Sequence, residues 1–356
     1  MKFRKEKDFF SMFDEKTGTY IRSGVICNGK DTGKDPFMTS FPELLDIGIM
    51  GHCIHGKKGL CIKAGVECYQ DGLNSTAENM HLEDFENIAT QCKGKTYQFA
   101  LGGCGDPDQH ENFEDILKIC RKNGIVPNFT TSGLGMNDRI AKLCKEYCGA
   151  VAVSWYRSQY TVNAINILLQ NHVKTNIHYV LSKNTIYEAL ELLNNNGFPN
   201  GINAVVFLLH KPIGLGRTEN NVAVTDKAFH DIMQIIAKKK FPYKIGFDSC
   251  TVPAIINMSD DFDLDSVDTC EGGRWSAYIS SDMKIMPCSF DNQQKKWSVD
   301  LRTFSIEEAW NSPKFDDFRN HFKTSCPNCA QKDHCMGGCP IVPEIVLCNR
   351  SERIVS

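Results

Sequence analysis

The sequence predicts a parallel α/β fold, because short apolar segments alternate with amphipathic helical patterns from residue 44 to residue 247. Repeated β/α units of this kind form a parallel sheet with crossover helices, arranged as an open barrel or as a doubly wound layer. Strands are predicted at Leu44–Met50, Tyr97–Leu101, Val126–Thr130, Val151–Trp155, Asn176–Leu181, Ala204–Leu209 and Tyr243–Phe247. Helices are predicted near Leu82–Gln91, Glu111–Lys122, Asp138–Tyr147, Tyr160–Gln170, Thr185–Asn194 and Thr225–Lys238. In either architecture, ligands bind beyond the carboxyl ends of the strands.

The alternation is absent from both ends of the chain, which predicts three units: 1–43, 44–247 and 248–356. In the first unit, Phe9–Phe13 and Thr19–Val25 flank a hairpin turn at residues 14–18, and Asn28–Pro36 is predicted as a loop. The last unit is rich in Cys, Asp, Asn and Gly, with a helix at Ser305–Trp310 that continues to Phe322 after Pro313. It lacks the apolar content of a conventional core, so we expect bound clusters to hold it together.

Composition excludes several classes of protein. A net charge of −3 without a basic stripe gives no reason to expect a nucleic-acid partner. No apolar run reaches the roughly 18 residues needed to span a bilayer. The first residues, MKFRKEKDFF, lack the apolar stretch of a signal peptide, so a cytoplasmic protein is expected. In that reducing compartment, the 17 cysteines favour metal ligands over disulfides.

Cysteine spacing gives the most specific signal. Four cysteines near the C-terminus form Cys-x2-Cys-x5-Cys-x3-Cys within residues 325–340. Thiolates packed so closely bind an iron–sulfur cluster or zinc, and the count alone does not decide between the two. The C-terminal set comprises Cys250, Cys270, Cys288, Cys326, Cys329, Cys335, Cys339 and Cys348.

A second set, Cys53-x7-Cys61-x6-Cys68, follows the first predicted strand of the α/β unit. Three thiolates on a four-iron cluster leave one iron open for another ligand. Two alternatives remain: one of the three is an ordinary cysteine replaced as a ligand by His52 or His55, or no cluster binds here.

The C-terminal pattern resembles the SPASM extension of radical S-adenosylmethionine enzymes, which carries two auxiliary iron–sulfur clusters. The resemblance implies that Cys270, Cys288 and Cys339 serve the first auxiliary cluster, with Cys250 as a candidate fourth ligand. The second would use Cys326, Cys329, Cys335 and Cys348. One departure is Met283, which stands where the family usually has a turn glycine.

The upstream region is similar to the catalytic half of the same family. Three cysteines after the first strand and the trailing aromatic Tyr69 match its pattern, although the family spacing is Cys-x3-Cys-x2-Cys. Leu101–Pro107 resembles the family's Gly-Gly-Glu-Pro segment, with Asp106 in place of glutamate. The resemblance implies that this segment, including Gly102, Gly103 and Gly105, binds the amino group of S-adenosylmethionine and that Tyr69 lies near its adenine. Glycines there allow a close backbone approach to a ligand.

Polar residues at later strand ends are further candidates. Ser132, with Thr130 and Thr131, and Ser154 stand where the family contacts the ribose and carboxylate of the cofactor; as an alternative they are helix N-caps. His210–Arg217 either lines the substrate opening or the adenosine end, or is solvated surface. No catalytic acid or base is assigned, because the carboxylates at strand ends are equally placed: Asp46, Asp106, Asp108 and Asp248.

The resemblance therefore implies a partial (β/α)6 TIM-like barrel followed by a small cysteine-rich iron–sulfur domain. Its cofactors would be S-adenosylmethionine and three 4Fe–4S clusters, one binding S-adenosylmethionine and two auxiliary. Such enzymes cleave S-adenosylmethionine to a 5′-deoxyadenosyl radical that abstracts hydrogen from a substrate. The auxiliary clusters would take up the remaining electron or bind the substrate.

The substrate expected from the resemblance is a peptide that receives a thioether or carbon–carbon crosslink or a related modification. A separate leader-peptide-binding protein and a reductant such as flavodoxin or ferredoxin are the expected partners. Alternatives are an anaerobic sulfatase-type maturase and a small-molecule dehydrogenase or epimerase. In a different class stand a non-catalytic iron–sulfur electron carrier and a zinc-stabilised scaffold.

Overall fold

The computed structural model describes residues 1–258, 262, 267–329, 331–345 and 347–348. It begins with an antiparallel sheet of three strands: β1 (Lys2–Lys5), β2 (Phe10–Asp14) and β3 (Thr19–Arg22). The predicted hairpin is confirmed, since Asp14 pairs with Thr19 across its turn. A small second hairpin, β4 (Ile26–Cys27) and β5 (Lys30–Asp31), occupies the segment predicted as a loop.

Seven parallel strands form the body of the molecule, in the order β12-β11-β10-β9-β8-β7-β6. Every predicted strand and helix of this region is confirmed within two residues of its expected ends. The strands are β6 (Leu44–Met50), β7 (Gln98–Gly103), β8 (Val126–Thr131), β9 (Val151–Ser154), β10 (Thr175–Leu181), β11 (Ala204–Leu209) and β12 (Lys244–Phe247). The helices are α1 (Leu60–Lys63), α2 (Leu82–Cys92), α3 (Phe113–Lys122), α4 (Asp138–Tyr147), α5 (Gln159–Gln170), α6 (Ile186–Asn195), α7 (Lys227–Lys238) and α8 (Val252–Met258).

Helix α3 shows why the sequence folds in this way. Its buried residues Phe113, Ile116, Leu117 and Cys120 recur at helical spacing and form one apolar face against the sheet. Strand β10 alternates in the matching way: every second residue is buried, and the residues between them, including Asn176 and His178, are only partly buried. The result is an open, partial barrel in which all the strand-to-helix loops meet at one edge.

The C-terminal segment continues the same sheet. Strand β13 (Ser276–Ile279) pairs in parallel with β6, and β14 (Lys284–Met286) and β15 (Val299–Asp300) follow in antiparallel order. Helices α9 (Ile306–Trp310), α10 (Pro313–Thr324) and α11 (Lys332–Cys335) complete the described part. The domain limit at residue 248 stays a prediction, because this sheet runs across it.

The expectation that the tail lacks a conventional core is wrong. Trp310 and Phe315 are fully buried in the main core, and Trp297 packs edge-on against Phe318 with ring centroids 5.1 Å apart. A few large aromatic rings, each burying up to about 250 Å², form this core although the tail contains few apolar residues. This part of the tail therefore has a packed apolar core.

Met283 occupies the turn between β13 and β14 with φ of 63°. This departure from the family pattern thus places a residue with a side chain in the left-handed conformation, at a cost of roughly 1–2 kcal/mol. Its side chain is buried in the core, which offsets the strain. Across the described residues, no helix combines the length and apolar character needed to cross a membrane.

Candidate metal and cofactor site

A cavity of about 610 Å³ opens at the carboxyl edge of the sheet, between the strand-end loops and the tail. Two of the three predicted cysteine groups share its wall: Cys53, Cys61, Cys68, Cys250, Cys270, Cys288 and Cys339. Residues from opposite ends of the chain thus meet at the edge where parallel α/β folds bind ligands.

The three upstream thiols converge in spite of their long spacers. A Cβ atom placed on Gly72 would lie 3.0 Å from Cys53 Cβ and 3.6 Å from Cys68 Sγ. Burial raises the pKa of Cys61 to about 11, with further contributions from the neighbouring thiols of Cys68 and Cys53. The three side chains therefore lie close enough to interact electrostatically.

Loops at three strand ends hold the two spacers between these cysteines. The ring of His55 is buried, and its Nε2 lies 3.1 Å from a carboxylate oxygen of Asp106, which follows β7. Beyond β9, Tyr156 Oη lies 3.4 Å from Cys61 Sγ, and Arg157 donates to the Ala64 carbonyl.

The last spacer is fixed by the loop after β11. Glu67 accepts hydrogen bonds from the Arg217 backbone N–H at 2.8 Å and from Asn220 at 3.0 Å. Gly214 permits the contact, because a Cβ there would lie 2.5 Å from the Tyr69 carbonyl oxygen and φ is 65°. The predicted His210–Arg217 segment is therefore a support of the cysteine loop as well as a cavity wall.

The donor set fits an iron–sulfur cluster. Backbone N–H groups point at the sulfurs: Gly56 lies 3.0 Å from Cys53 Sγ and Gly72 3.5 Å from Cys68 Sγ. Hydrogen bonds of this kind tune the potentials of such clusters. His55 is also buried, and its Nδ1 has no hydrogen-bond partner among the described residues; a bound group would satisfy it. Within the described ranges, no three His, Cys, Asp or Glu side chains are arranged to hold a single metal ion.

The glycine loop after β7 lies beside these thiols. Gly102, Gly103 and Gly105 line the cavity, and Gly103 has φ of 114°, with any Cβ only 2.3 Å from the Met50 carbonyl oxygen. Asp106 accepts from Ser132 N–H at 2.9 Å and from Ser132 Oγ at 2.5 Å. Two predicted cofactor residues are thus joined directly.

The alternative interpretation of the strand-end hydroxyls as helix caps is wrong. Helix α4 is capped by Asn137 and helix α5 by Ser158, whereas Ser132 and Ser154 both line the cavity. Thr130 Oγ1 lies 3.2 Å from Nδ1 of His178, another cavity residue.

Tyr69 faces the tail. Its ring packs edge-on against Phe290 with centroids 5.2 Å apart, and its side chain is partly exposed at the cavity wall. Its expected proximity to the adenine stays a prediction.

The C-terminal thiols separate into the two groups that the resemblance implies. Burial raises the pKa of Cys270 to about 12, with a contribution from Cys339; the Cys250 thiol interacts with both, and Cys288 does too. In the second group, burial raises the pKa of Cys335 to about 11; a backbone hydrogen bond at Gly337 opposes this rise, and the thiols of Cys348, Cys326 and Cys329 add to it. That group lies outside the cavity lining.

The four strand-end carboxylates are not equivalent. Asp46, Asp106 and Asp248 line the cavity, whereas Asp108 does not. Asp106 and Asp248 are engaged by several donors, and burial raises the pKa of Asp46 to about 6. Asp46 is therefore a cavity-lining carboxyl whose pKa is raised by burial.

Sequence reasoning missed several cavity residues. Tyr156 and His178 carry no motif, and they were detectable only by the rule that ligands bind at strand ends. Glu271 follows Cys270, and burial raises its pKa to about 7. Lys211 lies within a predicted segment but was not singled out.

Comparisons with known proteins agree with this geometry. Residues 270–336 match the SPASM family, described as an iron–sulfur cluster-binding domain. No curated protein matches the chain significantly.

Solved structures resemble the chain over most of its length. SuiB of Streptococcus suis bound to S-adenosylmethionine is similar with a TM-score of 0.65 and 15% identity, covering 88% of this chain and 77% of that one. SuiB bound to the precursor peptide SuiA has a TM-score of 0.64 and 15% identity, covering 88% of this chain and 76% of that one. The protein anSMEcpe with AdoMet and the Cp18Cys peptide has a TM-score of 0.58 and 16% identity, covering 86% of this chain and 92% of that one. These likenesses show a shared fold.

Proposed function

We propose that this chain, which carries a SPASM domain on the partial-barrel fold of radical S-adenosylmethionine enzymes, is such an enzyme and modifies a peptide. The observation that carries the proposal is the convergence of Cys53, Cys61 and Cys68 in one cavity with the Asp106–Ser132 pair. When bound there, a 4Fe–4S cluster and S-adenosylmethionine would supply a 5′-deoxyadenosyl radical for hydrogen abstraction.

The chain's own residues bind and orient. The three thiols would hold the first cluster and leave one iron for the amino and carboxylate groups of S-adenosylmethionine. The backbone at Gly102, Gly103 and Gly105 allows the cofactor to approach closely. Ser154 would contact its ribose or carboxylate, and Tyr69 its adenine. The enclosing tail excludes water, which protects a reactive species.

Two further clusters are part of the proposal. The group of Cys250, Cys270, Cys288 and Cys339 lies in the wall of the same cavity and would bind the first auxiliary cluster. The group of Cys326, Cys329, Cys335 and Cys348 would bind the second. The SPASM match over residues 270–336 includes five of these eight cysteines, and it supports iron over zinc there.

A peptide substrate is supported by the complexes that share the fold, SuiB with SuiA and anSMEcpe with Cp18Cys. The cavity rim suits such a ligand, because Ile62 and Leu73 are exposed there. The modification would be a thioether or carbon–carbon crosslink or a related change. A flavodoxin or ferredoxin would deliver the electron, and a separate protein could bind the leader peptide.

The test is anaerobic reconstitution with iron and sulfide, followed by addition of dithionite and S-adenosylmethionine. Three clusters require roughly twelve irons per chain, and 5′-deoxyadenosine should accumulate. Replacing Cys53, Cys61 and Cys68 together by Ala should abolish 5′-deoxyadenosine formation and leave roughly two thirds of the iron.

A control replaces Cys27 and Cys148 by Ala, since neither lines the cavity and neither is fully buried. The control should keep both the iron and the activity. Zinc in place of iron, or 5′-deoxyadenosine formation that persists in the cavity triple variant, would contradict the proposal.

A further inference from the structure

A buried lysine stands among the cavity cysteines. Lys211 follows β11, and its side chain is only 7% exposed. Among the described residues that line the cavity, it is the one lysine or arginine. Its Nζ lies 5.0 Å from the ring centroid of Phe290, two residues after Cys288.

Lys211 is ion-paired with Asp248, two residues before Cys250. The Asp248 carboxylate also accepts from the Leu209 N–H at 3.0 Å and from Thr251 Oγ1 at 2.9 Å. Its position is therefore fixed by the backbone of β11 and by the start of the tail. The lysine is held in place by a carboxylate that has other donors of its own.

The lysine shares the cavity wall with thiols. Cys250, Cys270, Cys288 and Cys339 line the same cavity as Lys211. Lys211 is paired with the residue two positions before Cys250, and it lies against the ring two positions after Cys288. Its charge is therefore held beside the residues that flank two of the four cysteines.

Stability alone does not explain this arrangement. A buried ion pair contributes little net folding energy, because desolvation cancels most of the attraction. A cation in the cavity wall that Cys250, Cys270, Cys288 and Cys339 share has a clearer use, since each electron added to a cluster makes the cluster more negative. A fixed positive charge favours the reduced state and raises the reduction potential.

We infer that Lys211 is a positioning residue that raises the reduction potential of the cluster bound by Cys250, Cys270, Cys288 and Cys339, and that Asp248 holds it there. The inference rests on the proposed function to the extent that these four cysteines bind a cluster. It adds a residue outside the cysteine motifs that sets how readily this cluster accepts an electron.

The experiment is an EPR-monitored redox titration of anaerobically reconstituted protein. Lys211→Met should shift one midpoint to lower potential, because the variant leaves the Asp248 carboxylate beside the cluster without its cation. Lys211→Arg retains the charge and should stay near the wild-type value. Asp248→Asn should shift the same midpoint to higher potential, opposite in sign to Lys211→Met.

The midpoint is assigned by the Cys270→Ala variant, in which its signal should be lost or altered. Iron and sulfide content must match wild type in each lysine variant; if Lys211→Met loses iron, the shift in Asp248→Asn decides the sign. An unchanged midpoint in variants with full iron would overturn the inference while leaving the proposed function intact. If replacement of the four cysteines left the iron content unchanged, that result would instead refute the auxiliary site itself.

Discussion

At the scale of single residues, the Asp106 carboxylate is the point where the glycine loop after β7 and the cysteine loop meet. It accepts two hydrogen bonds from Ser132 and faces the buried ring of His55. A carboxylate held from two sides is preorganised, so little reorganisation is needed when a cationic amino group binds nearby. The resemblance suggested a direct contact with the ligand; the structure adds that Asp106 also orders its neighbours.

Asp106→Asn should weaken S-adenosylmethionine binding about tenfold, since it removes the charge from charge-assisted hydrogen bonds worth about 1.5–3 kcal/mol. The iron content should be unchanged. Equilibrium dialysis of the reconstituted protein measures the Kd. Asp108→Asn is the control, because Asp108 is buried outside the cavity lining; equal affinity in both variants would rule out the assigned role.

His178 provides a pH-dependent prediction. Burial lowers the pKa of this side chain from 6.5 to about 4. Because the folded-state pKa is the lower one, protons bind the unfolded chain preferentially. The stability present above pH 6.5 is therefore lost as the pH falls towards 4, by on the order of 2 kcal/mol.

His178→Gln should remove that part of the pH dependence. Urea unfolding of wild type and variant at pH 7 and pH 4.5 gives the comparison, and the wild type should lose more stability between the two. The same loss in both proteins would show that His178 is not responsible.

At the scale of elements, the cysteine loop is closed by contacts that span the sheet. Glu67 binds Arg217 and Asn220 from the loop after β11, and Tyr156 meets Cys61 from the loop after β9. The cost of the long spacers is modest, since closure entropy grows by only about 0.6 kcal/mol per doubling of loop length. The loop is thus ordered by its neighbours instead of by a short motif.

Glu67→Ala should loosen the last spacer and speed the loss of the first cluster several-fold on exposure to air. The absorbance decay and the residual iron measure this effect. Lys63→Ala is the control, because its side chain is exposed on the same loop. If both variants decay like wild type, the contacts of Glu67 do not support the cluster.

Periodicity predicted the barrel elements well, because each strand and helix is encoded locally in its own apolar pattern. The cysteine groups were predictable from spacing and resemblance. The contacts that complete the site were not, since Glu67 and Arg217 lie 150 residues apart and no local pattern links them. The same applies to β13, whose pairing with β6 joins segments that are distant in sequence.

At the scale of the whole molecule, the tail and the barrel share one sheet and one core. Strand β13 extends the sheet beside β6, and Trp310 Nε1 donates to the Thr39 carbonyl at 3.0 Å. The apolar surface buried in this shared core stabilises the fold by roughly 25 cal/mol per Å². The framework around the auxiliary cysteines therefore has its own stability.

Removal of iron by a chelator should leave this framework folded. In the iron-free protein, hydrogen–deuterium exchange should remain slow across β13 and across α9 and α10, because their packing does not involve the thiols. The segment from Cys326 to Cys348 should exchange faster than in the iron-loaded protein. Rapid exchange across β13 as well would restore the view that clusters hold the tail together.

The most direct test of the central claim is an anomalous-difference map at the iron absorption edge, from anaerobically grown crystals of the reconstituted protein. The account predicts a strong iron peak within the cavity, bounded by the sulfurs of Cys53, Cys61 and Cys68. Iron at the tail cysteines, with no peak between those three sulfurs, would contradict it.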